Sequence, residues 1–399
     1  MRTRAWIAAA VVAVGGGLAA WSMTGRAAAV RPYPYRIPKA ASPDAEIAFV
    51  ERRVKANPDG ALDLAALAGL YLKKSKTCGG AWTEKAAEAA RLSLEKMPFS
   101  NTGAKLVLAT IAQSRHHFAE CRRLCEEVLA ESPRNEDAVA LLITTHVAIG
   151  SVEEAQPLAD RLVDALPTTA SWSLHGLVMA ARGRDREAVH DFTRAIEAEE
   201  FGQQELSAQV RAWLGRHHFR RGRFRDAREC LEAALAIDAA NPIALGALGE
   251  LDAREGRVDE AERCFSAAFH LSKAPVWIAK KAALKGGAEG DELYALAEKM
   301  MREEPFGHAT QLARLLLDRG RNAEALEVIL AESKRRRDAE TLDVLALALL
   351  RANRAAEARD VMREALGRFA EPSLYGRAAE VERALGAASR AALYEEMAR

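Results

Sequence analysis

Cysteines and paired histidines are the residue types in this 399-residue sequence that could form disulfides or bind a metal ion. The five cysteines include Cys230 and Cys264, and adjacent histidines occur at His116–His117 and His217–His218. Thiolates and imidazoles are the ligands that zinc prefers, so the spacing of these residues decides whether a metal site is possible.

The spacing argues against a metal or catalytic site. Adjacent residues on a helix point about 100° apart, so neither histidine pair can converge on one ion. The sequence has no Cys-x-x-Cys-His haem motif, no Gly-x-x-x-x-Gly-Lys loop and no Gly-x-Ser-x-Gly elbow. It therefore predicts no catalytic residue, no bound metal and no cofactor.

Composition excludes partners that depend on net charge. The 57 Lys and Arg residues almost cancel the 56 Asp and Glu residues, which removes a long-range attraction to nucleic acid or anionic lipid. Basic clusters at 216–228 and 334–337 have acidic residues nearby, so we interpret them as solvated helix faces and expect no nucleic-acid partner. Ala, Leu, Glu and Arg dominate and aromatic residues are 6%, which favours an all-α fold.

The N-terminus has the pattern of an export signal. Arg2 and Arg4 precede an uncharged run over 5–21, and small residues at 27–29 offer a cleavage site. Residues 1–29 are predicted to be either a cleaved signal peptide or an uncleaved N-terminal anchor, the latter being the one expected membrane contact. The protein is therefore expected to be exported, to the periplasm or outside the cell.

Two short segments follow. Residues 30–43 contain alternating prolines, which predict an extended segment. It is either a linker or a short tether that lies on a partner or on the solenoid itself. Residues 44–60 contain apolar residues in helical spacing up to Pro58 and are predicted to form a capping helix.

Internal repeats with a period near 34 residues occupy the rest of the sequence. The copies share a large residue, a small residue three or four positions later, a turn glycine, and then an alanine, a large residue and an alanine. Three copies are Trp172, His175, Gly176, Met179, Gly183, Ala188, Phe192 and Ala195; Arg211, Leu214, Gly215, His218, Gly222, Ala227, Leu231 and Ala234; Leu245, Leu248, Gly249, Asp252, Gly256, Ala261, Phe265 and Ala268.

These offsets resemble the signature of the tetratricopeptide repeat family, and weaker copies extend the resemblance over residues 61–399. The resemblance implies an all-α, right-handed superhelical solenoid of about ten stacked antiparallel helix pairs. Five glycines fall between the two helices of a unit, where positive φ is expected: Gly150, Gly183, Gly222, Gly256 and Gly320. The N-terminus also resembles that of exported bacterial repeat proteins.

Two places break the period. Extra residues at 73–82 are predicted to lengthen the first turn, and extra residues at 198–204 are predicted to lengthen a junction between units. The repeat position also assigns the cysteines: Cys121 and Cys125 to the core, Cys230 and Cys264 to neighbouring units as free thiols, and Cys78 to an exposed insertion.

The resemblance implies a concave groove lined by first-helix residues outside the packing signature. The predicted partner-binding residues are Leu106, Thr110, Gln113, Thr144, Val147, Leu177, Arg216, Phe219 and Arg220, with Ala140, Ser173, Ala180 and Ala212 beside them. Some family members clamp the C-terminal carboxylate of a chaperone with a Lys and Asn set that is missing here. The predicted lining changes from apolar to cationic, which suits a segment that ends in acidic residues.

The sequence thus predicts a non-catalytic protein–protein interaction scaffold of the cell envelope, which binds a protein or peptide segment in the groove. Two alternatives stay open. The chain could be a structural subunit that packs through its outer surface into a larger extracytoplasmic assembly, or an enzyme regulator held at the membrane by an uncleaved anchor.

Overall fold

The protein is all-helical. The computed structural model describes residues 31–35, 43–78, 80–303 and 305–398, which contain 21 helices and no strand. The export signal predicted over 1–29 lies outside these residues. None of the helices within the described ranges is both long enough and apolar enough to cross a membrane.

The helices follow one another with short connections. Their bounds are α1 (Asp44–Ala56), α2 (Ala61–Cys78), α3 (Gly80–Lys96), α4 (Thr102–Ser114), α5 (Phe118–Glu131), α6 (Glu136–Ile149), α7 (Val152–Ala165), α8 (Thr169–Ala181), α9 (Asp185–Glu197), α10 (Gln204–Arg220), α11 (Phe224–Ile237), α12 (Pro242–Arg254), α13 (Val258–Ser272), α14 (Pro275–Lys285), α15 (Gly287–Glu303), α16 (Pro305–Asp318), α17 (Asn322–Glu332), α18 (Ala339–Arg351), α19 (Ala355–Arg368), α20 (Pro372–Ala384) and α21 (Ala388–Met397).

From α2 onward the helices pair in order, so that α2–α3 is unit 1 and α20–α21 is unit 10. Each unit packs on the next, which makes a solenoid and confirms the predicted fold class and the number of units. Within unit 6 the two helices approach so closely that a Cβ on Gly249 would lie 2.8 Å from the ring of Phe265. The small signature residues on the first helix therefore leave the space that the large signature residues of the second helix fill.

Local signals set the ends of the helices. The side chains of Asn135 and Asn241 each accept a hydrogen bond from a backbone N–H in the first turn of the following helix, at 2.9 Å. At the other end of the first helices, the five predicted turn glycines all have positive φ, between 71° at Gly183 and 84° at Gly150. That prediction is confirmed.

The extra residues at 73–82 do not form the long turn predicted from the sequence. They extend two helices instead, because α2 continues to Cys78 and α3 begins at Gly80. Trp82 packs on Tyr71 with ring centroids 5.4 Å apart, and the ammonium of Lys74 lies 3.9 Å from the Trp82 ring centroid. These contacts give the added turns of helix a surface to pack on. The side chain of Cys78 lies outside the described residues.

The N-terminal segment 31–35 lies on the solenoid itself, at the long junction between α9 and α10. The hydroxyls of Tyr33 and Tyr35 donate to the carbonyls of Glu200 and Glu199 at 3.1 and 3.2 Å. Arg211 donates to the carbonyl of Arg31 and also pairs with the Glu199 carboxylate. The side chain of Arg211 is completely buried, so the docked segment covers a cation that its own carboxylate already neutralises.

The solenoid curls until its later units touch its earlier ones. Gly150, in the turn of unit 3, accepts a hydrogen bond from Arg368 at 2.5 Å, and Ile149 beside it accepts one from the backbone N–H of Arg337 at 3.1 Å. In unit 5, Arg221 donates to the carbonyl of Ala370 at 2.5 Å. We call this contact, between the turns of units 2–5 and the connections 333–338 and 369–371, the closure.

The closure corrects the interpretation of the basic cluster at 334–337. Arg336 is not on a solvated helix face: its side chain is only 11% exposed, and it pairs with Asp338 at 2.7 Å. Arg337 pairs with Glu364 of α19. The sequence suggests a solvated cluster because the surface that covers it, which includes His116, comes from a part of the chain about 200 residues earlier.

Gly183 and Gly222 test the closure because they share a φ of 71° and a position in the repeat but differ in their neighbours. A Cβ on Gly183 would collide with Ala370, whereas a Cβ on Gly222 meets nothing within 4 Å. Alanine at either site costs about 1 kcal/mol in backbone strain. Overpacking adds about 1–3 kcal/mol at Gly183 alone.

We therefore expect Gly183→Ala to lower the midpoint of urea unfolding, followed by circular dichroism, clearly more than Gly222→Ala does. Equal shifts in the two variants would mean that the closure contributes nothing to stability.

Candidate functional site

An open cavity of about 680 Å³ lies on the inner face of units 1–3, which we call the groove cavity. The first helices of units 1–3 and the start of α10 supply its walls. Its lining includes Leu72, Leu106, Thr110, Gln113, Ala140, Thr144 and Leu206.

The hydroxyl and amide groups of this lining are already occupied, and the exposed carboxylate of Asp137 also borders the cavity. Thr110 and Thr144 donate their hydroxyls to backbone carbonyls one turn earlier, at 2.8 and 2.9 Å. The amide nitrogen of Gln113 donates to the hydroxyls of Thr144 and Thr145 at 2.8 and 2.9 Å, which joins α4 to α6. A ligand in the groove cavity therefore meets mainly methyl and methylene groups, and its recognition would be apolar.

A second cavity, of about 320 Å³, lies where the closure covers the inner face of units 3–5, and we call it the closure cavity. One wall consists of Val147, Leu177 and Ala180, with Trp213 beside them. Arg216 and Arg220 of α10 also line it, and the opposite wall comes from Arg336, Glu340, Phe369 and Glu371 of the later units.

Most of the charges around the closure cavity are paired. Arg220 lies 3.4 Å from a carboxylate oxygen of Glu371, and Arg221 lies 2.9 Å from one of Asp185. Arg336 is held by Asp338. The first pair connects unit 5 with the connection between units 9 and 10, the second joins units 4 and 5, and the third lies within the connection between units 8 and 9. Together they leave little unbalanced charge on the cavity wall.

Arg216 is the exception among these arginines. It makes no hydrogen bond or ion pair with any residue that the structure describes, although its side chain stays open to solvent inside the cavity. Crowding by the surrounding protein lowers the pKa of Arg216, and the nearby Arg220 lowers it further, while Glu250, Glu340 and Glu371 act in the opposite sense. The guanidinium of arginine is so basic that it carries its charge in proteins at neutral pH.

The structure distributes the predicted groove residues between the two cavities. Leu106, Thr110, Gln113 and Thr144 line the groove cavity, and Val147, Leu177, Arg216 and Arg220 line the closure cavity. Phe219 lines neither of them; its ring packs edge-on against Phe224 at a centroid distance of 5.8 Å. Ser173 and Ala212 are buried in the packing between helices.

Sequence reasoning missed the residues of units 8–10 that complete the closure cavity. Asp338 appears in the sequence as a helix cap, which it is, since its carboxylate accepts from the N–H of Thr341 at 3.3 Å. Phe369 and Glu371 fall in a connection between units. No local pattern indicates that these positions lie against residues 147–221.

His116 sits in the closure with a φ of 58°, and its Nδ1 accepts a hydrogen bond from Arg336 at 3.3 Å. Burial lowers its pKa to about 4, with further lowering by Arg336, His308 and Arg335, against a smaller opposite effect of Asp338. The closed structure thus requires the neutral imidazole.

His175 differs from His116 because its pKa is raised rather than lowered. Its two ring nitrogens lie 2.6 Å from Asp191 and 2.9 Å from Asp160, and the hydrogen bond to Asp191 is the largest cause of its raised pKa. The three residues join α7, α8 and α9 of units 3 and 4. Among the residues described, no group of three or more His, Cys, Asp or Glu side chains is placed to hold a metal ion.

Comparison with known proteins identifies the repeats. Residues 101–177 and 218–284 match the model of the tetratricopeptide repeat family. The chain is therefore a helical-repeat protein that carries tetratricopeptide repeats in these two segments, which contain nearly all the predicted groove residues. No curated protein matches the chain.

Two solved structures resemble the chain at low identity. One is the APC/C hetero-tetramer Cut9–Hcn1, at 11% identity over 89% of each chain and a TM-score of 0.39. The other is YrrB, described as a tetratricopeptide repeat protein with an unusual peptide-binding site, at 19% identity over 49% of this chain and 95% of that one, with a TM-score of 0.32.

His116 makes the closure sensitive to acid. An open closure leaves the imidazole with its ordinary pKa near 6.5, whereas the closed form holds it at about 4. Between these values the closed form binds fewer protons, so its stability falls as the pH falls. We expect the distance between fluorophores on unnatural amino acids at Glu153 and Arg363 to increase on going from pH 7 to pH 5.

His116→Asn is expected to reduce that response, because asparagine tolerates positive φ and accepts from Arg336 without titrating. The control is His270→Asn, on an exposed histidine of α13. If the distance between the fluorophores increases equally in the His116→Asn and His270→Asn variants at pH 5, protonation of His116 is not what opens the closure.

Proposed function

We propose that this protein is a non-catalytic interaction scaffold that binds an extended segment of another protein along its concave surface. The observation that supports this most directly is the arrangement of the inner face, where residues from successive first helices line two neighbouring cavities of about 680 and 320 Å³. Tetratricopeptide repeats present in the same segments support an interaction role.

The chemistry of the lining defines what such a segment should contain. In the groove cavity the hydroxyls and the amide are occupied within the protein, so the segment should place apolar side chains there. Among the described residues that line the closure cavity, Arg216 is the cation that has no hydrogen bond or ion pair. A segment of some six to ten residues in extended form spans about 20–35 Å and could contact both cavities.

The proposal also places the scaffold outside the cytoplasm. The support is the sequence pattern of residues 1–29, with Arg2 and Arg4 ahead of the uncharged run and small residues at its end. Residues 31–35, which would begin the chain after cleavage at 27–29, dock at the junction between units 4 and 5.

The first experiment places a photo-crosslinking amino acid at Leu106 in the groove cavity and, separately, at Glu126 on the outer surface. We expect one protein to be captured from native cells at Leu106 and not at Glu126, whose side chain is 62% exposed. Thr110→Glu should abolish that capture because it places a charge in the apolar lining, while circular dichroism shows an unchanged fold.

The alternative function, a structural subunit that packs through its outer surface, gives the reverse pattern. Crosslinks from Glu126 to other copies of this chain, with no capture at Leu106, would replace the scaffold proposal by the assembly proposal. Exposed apolar side chains support this alternative, because they are typical of contact surfaces between proteins. Phe99 is 77% exposed and Phe201 is 68% exposed.

Export predicts a defined N-terminus. We expect the intact mass of the chain purified from its native cell to lack residues 1–29, or, if the signal is an anchor, to be complete in the membrane fraction. A complete chain recovered from the cytosol would contradict the export proposal and would leave the binding proposal unaffected.

A further inference from the structure

The closure cavity brings Arg216, which has no partner among the described residues, together with an apolar wall and with two parts of the chain far apart in sequence. Its volume of about 320 Å³ lies at the lower end of the range of about 300–1,000 Å³ found for small-ligand sites. The cavity therefore has room for a few residues of a ligand, and not for a folded domain.

The charge balance around Arg216 defines the ligand. Arg220, Arg221 and Arg336 each have a carboxylate partner within 3.4 Å, so among the arginines of the described lining it is Arg216 whose guanidinium has no partner. A guanidinium and a carboxylate can form two parallel hydrogen bonds, which makes a carboxylate the matching group.

The rim of the cavity argues against a more highly charged anion. Asp338, Glu340 and Glu371 line the same cavity, and Glu340 is exposed toward it. Asp338 and Glu371 are already paired with Arg336 and Arg220. The second negative charge of a phosphate dianion would therefore meet Glu340 with no cation left in the described lining to balance it, whereas a single carboxylate is compensated by Arg216.

The apolar wall defines the neighbours of that carboxylate. Val147, Leu177 and Ala180 lie on one side of the cavity, and Trp213 and Phe369 complete the apolar lining. Because the wall comes from units 3–5 on one side and from the later units on the other, a ligand that fills the cavity touches both sides of the closure.

We propose that the closure cavity binds an internal acidic residue flanked by aliphatic residues in an extended segment, with the carboxylate on Arg216, and that the bound segment holds the closure shut. This rests on the proposed function and deepens it. It differs from capture of a chain terminus because the carboxylate comes from a side chain that has residues of the same segment on both sides of it.

The test uses two synthetic probe peptides, acetyl-Ala-Leu-Glu-Leu-Ala-Ala-amide and its counterpart with Gln in place of Glu. Calorimetric titration of the full chain should give at least about tenfold tighter binding of the Glu peptide, the range expected for one charge-assisted pair. Arg216→Gln should remove this preference, while Arg263→Gln, on a 70% exposed arginine of α13, should keep it.

A second pair of variants tests the contribution of the later units. Gly183→Ala forces Ala370 away from the turn of unit 4 and should reduce the Glu preference, whereas Gly222→Ala should not. In the wild type, the Glu peptide should also bring the fluorophores at Glu153 and Arg363 closer together at pH 5, where the closure is weakened.

Equal affinity for the two peptides in the wild type, or a Glu preference that survives Arg216→Gln, would overturn this inference. Displacement of the Glu peptide by inorganic phosphate more readily than by acetate would overturn the choice of a carboxylate. Neither result touches the scaffold proposal, which fails only if crosslinking at Leu106 captures no partner.

Discussion

The contact between the turns of units 2–5 and the connections of units 8–10 determines what the rest of the molecule can do. Stacked helix pairs alone would form an open curve with one continuous groove. Here the hydrogen bonds from Arg368 to Gly150 and from Arg221 to Ala370 bring the later units over the inner face. The groove is thereby divided into an open apolar part and a covered charged part. Glycine in the turns of units 3 and 4 is what permits this approach, because a side chain at Gly150 would lie 2.5 Å from the carbonyl of Arg337.

The two parts of the inner face differ in how they use polar groups. In the groove cavity, threonine hydroxyls bond to their own helices and Gln113 joins two first helices, so that polar residue types produce an apolar surface. In the closure cavity Arg220 pairs with Glu371 of the later units and Arg336 pairs with Asp338. Arg216 has no hydrogen bond or ion pair with any described residue. Residue type alone therefore misjudges both surfaces: Thr110 and Gln113 look polar, and Arg336 looks available.

The structural features that recur from unit to unit could be predicted from the sequence. The helix pairs, the number of units and the turns with positive φ could be predicted from the regular spacing of residues such as Gly249 and Phe265. Each of these features depends on neighbours within about 40 residues. The sequence also placed Leu106, Val147 and Arg216 on the inner face. The closure could not be predicted from the sequence. Whether distant units touch depends on the sum of small rotations between many successive units, which no local pattern specifies. The added residues at 73–82 were assigned to a turn because the packing of Trp82 on Tyr71 has no local signature.

The closure also changes how the chain is expected to gain and lose its structure. In a linear repeat protein each unit contacts only its neighbours, so that folding can begin anywhere and the ends fray independently. The bond between Arg368 and Gly150 joins residues 218 positions apart, and that between Arg211 and Arg31 joins residues 180 apart. Such non-local contacts raise the contact order and slow folding, since long loops must close first. They also couple unit 9 to unit 3, so the described solenoid should unfold with the cooperativity of a globular domain rather than unit by unit.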